Sequence, residues 1–104
     1  KKGNYQLYPY RQITNDDEKP IRAFIFQKAG KTCIIYWHMN GTGQLTLDIE
    51  KNKLSLMNES GKRIPIRSAG SKSILPAAGR LILETALPQE EVIKLFRKSI
   101  EIIK

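Results

Sequence analysis

The chain has 104 residues, of which 40% are hydrophobic and 27% charged, a composition that is typical of a folded domain and excludes a disordered chain. Its formal net charge is +8, but the 18 lysines and arginines are scattered, with one loose cluster at Lys62, Arg63, Arg67 and Lys72. No apolar run approaches the roughly 20 residues of a membrane-spanning helix, so we predict a single domain with no membrane span.

Residues 1–19 are predicted to form an N-terminal arm and loop with at most one edge strand near residues 8–13. No apolar h-region is present at the start, so no signal peptide is predicted here. Three tyrosines, Tyr5, Tyr8 and Tyr10, lie in this arm among prolines and acidic residues. Their rings either stack on a ligand or hold the arm against the rest of the domain, and the sequence leaves both readings open.

Residues 20–86 are predicted to form an antiparallel β-sandwich. Residues 21–27 and 32–38 are rich in β-branched and aromatic side chains, and Lys28-Ala29-Gly30-Lys31 between them is typical of a hairpin turn. Further short strands are predicted at residues 44–49, 53–57, 63–67, 74–75 and 80–86, and residues 68–73 are predicted to be a loop. Pro65 indicates an edge position for its strand. Six to eight short strands at about ten-residue spacing predict a mainly β fold, a small antiparallel sandwich.

Residues 87–104 are predicted to form one C-terminal amphipathic α-helix. Pro88 suits the first turn, where Glu90 and Glu91 also interact favourably with the helix dipole. One apolar stripe recurs at helical spacing and contains Val92, Ile93, Phe96, Ser99, Ile100 and Ile103. The stripe packs either on the sheet or on a neighbouring domain, and its spacing does not distinguish the two.

The strand at residues 32–38 is apolar on both faces, so either face could point into the core. Cys33, Ile35 and Trp37 share one face, and Tyr36 lies on the other. We predict that Trp37 fills the core and that Cys33 is a buried free thiol. Exposed aromatic rings can stack on sugars or bases, and the candidate ligand-stacking residues are Tyr8, Tyr10 and Tyr36.

No catalytic, metal-binding or cofactor-binding residue is predicted. His38 is the only histidine, and neither a nucleophile elbow nor a Cys-His pattern surrounds it. Asp16-Asp17-Glu18 is predicted to be a solvated loop, and Gly41-Thr42-Gly43 lacks the following helix that a phosphate-binding loop requires. We therefore predict that this chain is not an enzyme and binds neither a metal nor a cofactor.

Three segments in order carry a resemblance to a known family. They are Ala23-Phe24-Ile25-Phe26-Gln27-Lys28-Ala29-Gly30-Lys31 running into Cys33-Ile34-Ile35-Tyr36-Trp37, then a glycine-rich turn before Leu45-Thr46-Leu47, then Leu56-Met57-Asn58-Glu59-Ser60-Gly61-Lys62-Arg63-Ile64-Pro65-Ile66 with the closing Leu75-Pro76 and Arg80-Leu81-Ile82-Leu83-Glu84. Residues 21–86 resemble the C-terminal β-sandwich accessory domain that follows the (β/α)8 catalytic barrel of many glycoside hydrolases. The lysine-rich surface and the C-terminal helix depart from that pattern.

The resemblance implies a non-catalytic structural accessory domain of a carbohydrate-active enzyme, packed against the catalytic domain of the same parent protein. It also implies a secreted or periplasmic location, and it carries over no catalytic residue. Two alternatives remain open: a carbohydrate-binding module that holds polysaccharide on exposed aromatics, and a basic oligonucleotide-binding β-barrel. Nucleic acid is the disfavoured partner, because neither a long basic run nor a glycine-aromatic motif accompanies the charge.

Overall fold

The computed structural model describes residues 10–13, 19–40 and 43–101, and it confirms a mainly β sandwich with one C-terminal helix. In chain order the elements are β1 (Tyr10–Gln12), β2 (Ile21–Lys28), β3 (Lys31–His38), β4 (Gln44–Leu47), a 3-10 turn (Lys51–Lys53), β5 (Leu54–Asn58), β6 (Arg67–Ala69), β7 (Lys72–Pro76), β8 (Leu81–Thr85) and α1 (Gln89–Glu101). Within these described ranges, no helix is long and apolar enough to cross a membrane.

The described strands form two antiparallel sheets. One sheet has five strands in the order β1-β2-β3-β8-β5, and the other has three in the order β4-β7-β6. β2 and β3 form the predicted hairpin, in which Ala29 and Gly30 both adopt positive φ, 52° and 78°. A positive φ is costly for a residue with a side chain but not for glycine, which explains why the turn contains Gly30.

The core lies between one face of the five-stranded sheet and a second layer made of the three-stranded sheet and α1. Alternate residues of β2 and β3 point into it, so that Ile21, Ala23, Ile25, Ile34 and Tyr36 are fully buried. The second layer contributes Leu45, Leu47, Leu75, Val92, Phe96 and Ile100. One continuous core therefore joins both sheets and the helix.

Helix α1 packs within the domain, against β2 and β4. Its predicted stripe is buried at Val92, Ile93, Phe96, Ser99 and Ile100, while Ile103 lies outside the described residues. The Arg97 Nε–H also donates a 2.8 Å hydrogen bond to the Ile13 carbonyl, which ties the helix to the end of the first strand.

Two stretches differ from the prediction. In the segment predicted as a strand at residues 63–67, Arg67 begins β6, and residues 63–66 make one bridge to the described strands, between Arg63 and Met57, because Pro65 has no N–H with which to continue a ladder. The predicted loop at residues 68–73 belongs mostly to β6 and β7, a hairpin that turns at Gly70 with φ of 65°. The predicted edge strand near residues 8–13 is present as β1 in its described part.

Candidate interaction surface

Tyr36 and Trp37 occupy the opposite faces from those predicted. Tyr36 is 0% exposed, and its hydroxyl donates a 2.7 Å hydrogen bond to the Pro76 carbonyl in the second layer. Burial raises the pKa of the Tyr36 phenol well above its ordinary value. Trp37 lies on the face that points away from the core. The prediction of Tyr36 as a stacking residue and of Trp37 as a core residue is therefore wrong.

The face of the five-stranded sheet that points away from the core is called the outer face. Its apolar residues are Phe24, Phe26, Cys33, Ile35, Trp37, Met57 and Ile82, with Tyr10 on the edge strand β1. The polar residues Gln12, Arg22, Ser55 and Glu84 share the same face. The strand register places Phe24 beside Ile35, Ile35 beside Ile82 and Ile82 beside Met57. An unbroken apolar row therefore crosses four neighbouring strands, where an exposed antiparallel sheet ordinarily carries polar side chains.

Three aromatic rings on the outer face contact one another. Phe24 stacks on Trp37 with ring centroids 5.7 Å apart and 20° between the planes. Tyr10 meets Phe24 edge-on, also at 5.7 Å, with 69° between the planes. Tyr10 is 65% exposed, so of the predicted stacking residues that are described it is the one whose ring is open to solvent. Tyr8 lies outside the described residues.

Arginines lie around the apolar row, two of them beside Trp37 and one at the β5 edge. The guanidinium carbon of Arg80 lies over the Trp37 ring, 5.2 Å from its centroid, which is the geometry of a cation–π contact. Phe24 reaches the same ring from β2, and Arg80 precedes β8, so both strands that flank β3 supply a neighbour to the indole. Arg22 pairs with Trp37 in the β2–β3 register, and Arg63 bridges to Met57 at the sheet edge.

Cys33 also lies on the outer face, but its neighbours cover it and it is only 2% exposed. Burial raises the pKa of the thiol, and the negative charge of Glu84 raises it further, while Lys28 and Lys31 oppose these effects. The prediction of a buried free cysteine is confirmed. A covered thiol with a raised pKa is a small hydrophobic side chain rather than a nucleophile.

Polar chemistry elsewhere in the described residues is limited. In residues 10–13, 19–40 and 43–101, no group of three His, Cys, Asp or Glu side chains is placed to hold a metal ion. The His38 Nδ1 accepts a 3.1 Å hydrogen bond from the Asn40 N–H, which fixes the ring at the end of β3. The Asp16-Asp17-Glu18 triplet falls outside the described ranges.

Two shallow clefts are lined by described residues at the borders of the five-stranded sheet. One, of about 250 Å³, lies between β1, β2 and the start of α1 and is lined by Tyr10, Arg11, Ile25, Gln27 and Gln89. Its polar side chains bond to one another: Arg11 donates to Gln89 at 2.8 Å, and Gln89 donates to Gln27 at 3.0 Å. The other cleft, of about 200 Å³, lies beside Lys53 and Glu84. Both volumes are below the roughly 300–1,000 Å³ of ordinary ligand pockets.

The outer face is the candidate interaction surface that sequence reasoning missed. The signal was present, since Phe24, Phe26, Ile35 and Ile82 all occupy strand positions that alternate with core residues. Comparisons with models of protein families, with curated proteins and with solved structures found no match to this chain. The function proposed below therefore depends on the outer face and not on a relative.

Proposed function

We propose that this chain is a non-catalytic structural accessory domain that packs, through its outer face, against a neighbouring catalytic domain of a larger carbohydrate-active enzyme. The observation that carries the proposal is the apolar row formed by Phe24, Ile35, Ile82 and Met57 on the side of the sheet away from the core. Contiguous apolar patches on a protein surface mark interaction sites, because leaving them in water is unfavourable.

The composition of the outer face supports a protein partner. Interfaces have an apolar centre with a polar rim, and they are enriched in tryptophan, tyrosine, methionine and arginine. Here the apolar row is the centre, Trp37 and Tyr10 lie beside it, and Arg80 lies at the rim. Residues of these types provide most of the binding energy where they become buried.

The size of the face favours a neighbour in the same polypeptide over a freely diffusing partner. Five strands about 4.8 Å apart and three outward-facing rows about 6.8 Å apart span on the order of 400 Å². Stable complexes between free proteins bury about 800 Å² on each partner, whereas contacts between domains of one chain begin at roughly 600 Å² in total. When both domains belong to one polypeptide, the linkage raises the effective concentration of the partner, so a small contact area is sufficient for docking.

The family resemblance supplies the identity of the proposed neighbour, a (β/α)8 glycoside hydrolase barrel. The mainly β, two-sheet architecture is consistent with that resemblance. Under this proposal the domain contributes rigidity to the parent enzyme, and the catalytic residues belong to the barrel.

Oxidative footprinting of the complete encoded polypeptide and of the isolated chain tests the docking. Trp37, the sole tryptophan, and Met57 both lie on the outer face and react readily with hydroxyl radicals. Met39 follows β3, is 55% exposed and serves as the internal reference. We expect Trp37 and Met57 to be oxidised several-fold more slowly in the complete polypeptide, with Met39 unchanged. Equal oxidation of the outer face in both proteins, or a gene that encodes no neighbouring domain, would refute the proposal.

Carbohydrate binding is the second candidate, and the exposed ring of Tyr10 is the observation that favours it. Its other predicted contact, Tyr36, is buried, and Trp37 has Phe24 and Arg80 against its ring, which leaves less of the indole surface for a sugar. Titration of the chain with soluble polysaccharides, followed by Trp37 fluorescence, separates the candidates. If the chain docks and does not bind sugar, the Trp37 fluorescence shows no saturable change on titration. A saturable change in fluorescence that Tyr10→Ala abolishes would favour the binding module.

An oligonucleotide-binding barrel is disfavoured by the sheet topology. Among the described strands the two sheets have no strand in common, so they do not close into one barrel. The test is binding to single-stranded DNA. An affinity that falls steeply between about 50 and 200 mM salt would favour this alternative.

A further inference from the structure

We propose that the surface that covers the outer face is acidic and places a carboxylate against Arg80 beside Trp37. This inference rests on the proposed function and specifies the chemistry of the partner domain at that site. The starting observation is the position of the Arg80 guanidinium over the Trp37 ring, at the border of the apolar row. Any surface that covers Trp37 must also come close to this charge.

Covering Arg80 removes water from a permanent positive charge. A guanidinium carries five N–H donors, and burial of a charge without a partner costs several kcal/mol. The ion pair that Arg80 makes within the domain is with Glu59, at 3.9 Å, the limit of direct contact, and both side chains are more than 60% exposed. A pair so long and so exposed does not replace the lost water. The covering surface must therefore supply an acceptor, and a carboxylate accepts from arginine in a bidentate manner.

The contacts around Arg80 hold its side chain in position for an ion pair with a carboxylate of the partner. The cation–π contact restrains the long side chain over the indole, so less conformational entropy is lost when a carboxylate binds. Arg63, across from Met57, adds a positive charge beside β5, while Glu59 and Glu84 are negative charges near the same face. The position of Arg80 over Trp37 therefore fixes where a carboxylate of the partner would dock, and complementary charge of this kind sets the orientation of docking.

A second copy of this chain is the less favoured occupant of the outer face. Each copy has a net charge of +8, so two copies repel one another, whereas an acidic surface is attracted.

The test uses the complete encoded polypeptide with Arg80→Glu, Arg80→Gln and the control Arg67→Glu. Arg67 lies on β6 in the other layer and donates a hydrogen bond to the exposed Gln44, so its variant makes the same charge change away from the outer face. Arg80 itself covers part of the Trp37 ring, so footprinting reports docking as the change in the ratio of Trp37 to Met39 oxidation between each complete polypeptide and the isolated chain with the same substitution. Circular dichroism verifies that each variant is folded, which the 62% exposure of the Arg80 side chain leads us to expect.

We expect Arg80→Glu to weaken docking on the order of tenfold or more, Arg80→Gln to weaken it less, and Arg67→Glu to leave it unchanged. Docking of the unmodified protein should also weaken between 0.05 and 0.5 M sodium chloride, values chosen because the Debye length falls from roughly 14 to 4 Å over that range. Protection of Trp37 that is equal in all variants and at both salt concentrations overturns the acidic partner but leaves the docking proposal standing. Absence of Trp37 protection in the unmodified polypeptide overturns both.

Discussion

Tyr36→Phe is the most informative single change in the core, because it removes one hydroxyl and leaves the ring in place. That hydroxyl bonds the Pro76 carbonyl of β7 at 2.7 Å and so joins the five-stranded sheet to the second layer. The ring packs edge-on against Phe96 of α1, with centroids 5.8 Å apart, and this contact survives the substitution. The change therefore isolates one buried polar contact between the layers.

The expected cost follows from the burial of the Tyr36 side chain and the partial burial of Pro76. A hydrogen bond contributes about 0.5–1.5 kcal/mol net, and a partly buried acceptor left unpaired adds to the loss, so we expect a decrease of about 1.5 kcal/mol in the free energy of unfolding. For a domain of about this size, that decrease lowers Tm by roughly 6–12 °C. Urea unfolding of both proteins at pH 7, monitored by far-ultraviolet circular dichroism, measures it.

The pH dependence gives the same substitution a second readout. An unfolded phenol has a pKa of about 10, and burial raises the pKa of Tyr36 in the folded state. The unfolded chain therefore loses this proton first as the pH rises, and the stability that depends on Tyr36 falls by about 1.4 kcal/mol per pH unit above pH ~10. The other tyrosines are common to both proteins, so the difference between them should vanish by about pH 11.

Tyr10→Phe is the matched control, because it makes the same chemical change on an exposed ring. Its effect on stability should be within about 0.5 kcal/mol. The assignment of Tyr36 to the core would be refuted if the two substitutions cost the same, or if the stability gap between wild type and Tyr36→Phe stayed constant from pH 7 to pH 11.

Three further predictions concern the core, the thiol and one close approach. Phe96→Ala should cost about 3–5 kcal/mol in thermal or urea unfolding, whereas Lys98→Ala on the exposed side of α1 should change stability by less than about 0.5 kcal/mol. Cys33 should react with a disulfide reagent far more slowly in the folded protein than in urea, since burial and Glu84 raise its pKa; rapid reaction of the folded protein would contradict this. Gly43→Ala should destabilise the protein, because a Cβ there meets the His38 ring, 2.9 Å from Nε2. His38→Ala should relieve that cost, and additive effects in a double-mutant cycle would count against the contact.

Local patterns predicted the elements that local chemistry specifies. The β2–β3 hairpin follows from two β-rich runs around Ala29-Gly30, and α1 follows from its stripe and its acidic first turn. The β6–β7 hairpin was missed because residues 68–73 are mostly serine, glycine and lysine, a composition that favours loops. Pairing of β7 with β4 stabilises it instead, and that contact joins residues about thirty positions apart.

The outer face was missed for a different reason. Alternation identifies which side chains share a face, and it correctly placed Cys33, Ile35 and Trp37 together. It does not identify which face is the core when both are apolar, as they are in β3. Tyr36 became the core residue because Pro76 and Phe96 lie on its side of the sheet, and both come from elements distant in sequence.

The two apolar faces of β3 bear directly on the proposed docking. Strands that are apolar on both faces are typical of sheets covered on both sides, whereas a sheet with one solvated face alternates apolar and polar residues. β2 and β3 follow the first pattern: Ile25 and Ile34 face the second layer, while Phe24, Ile35 and Trp37 face outward. The outward set is paired across strands in register, so it forms one surface and not a scatter of exposed side chains. The same physics that packs α1 and the smaller sheet on the inner face thus favours a third layer on the outer one. Under the proposed docking the five-stranded sheet becomes the middle layer, and Arg80 is the charge for which the third layer supplies a carboxylate.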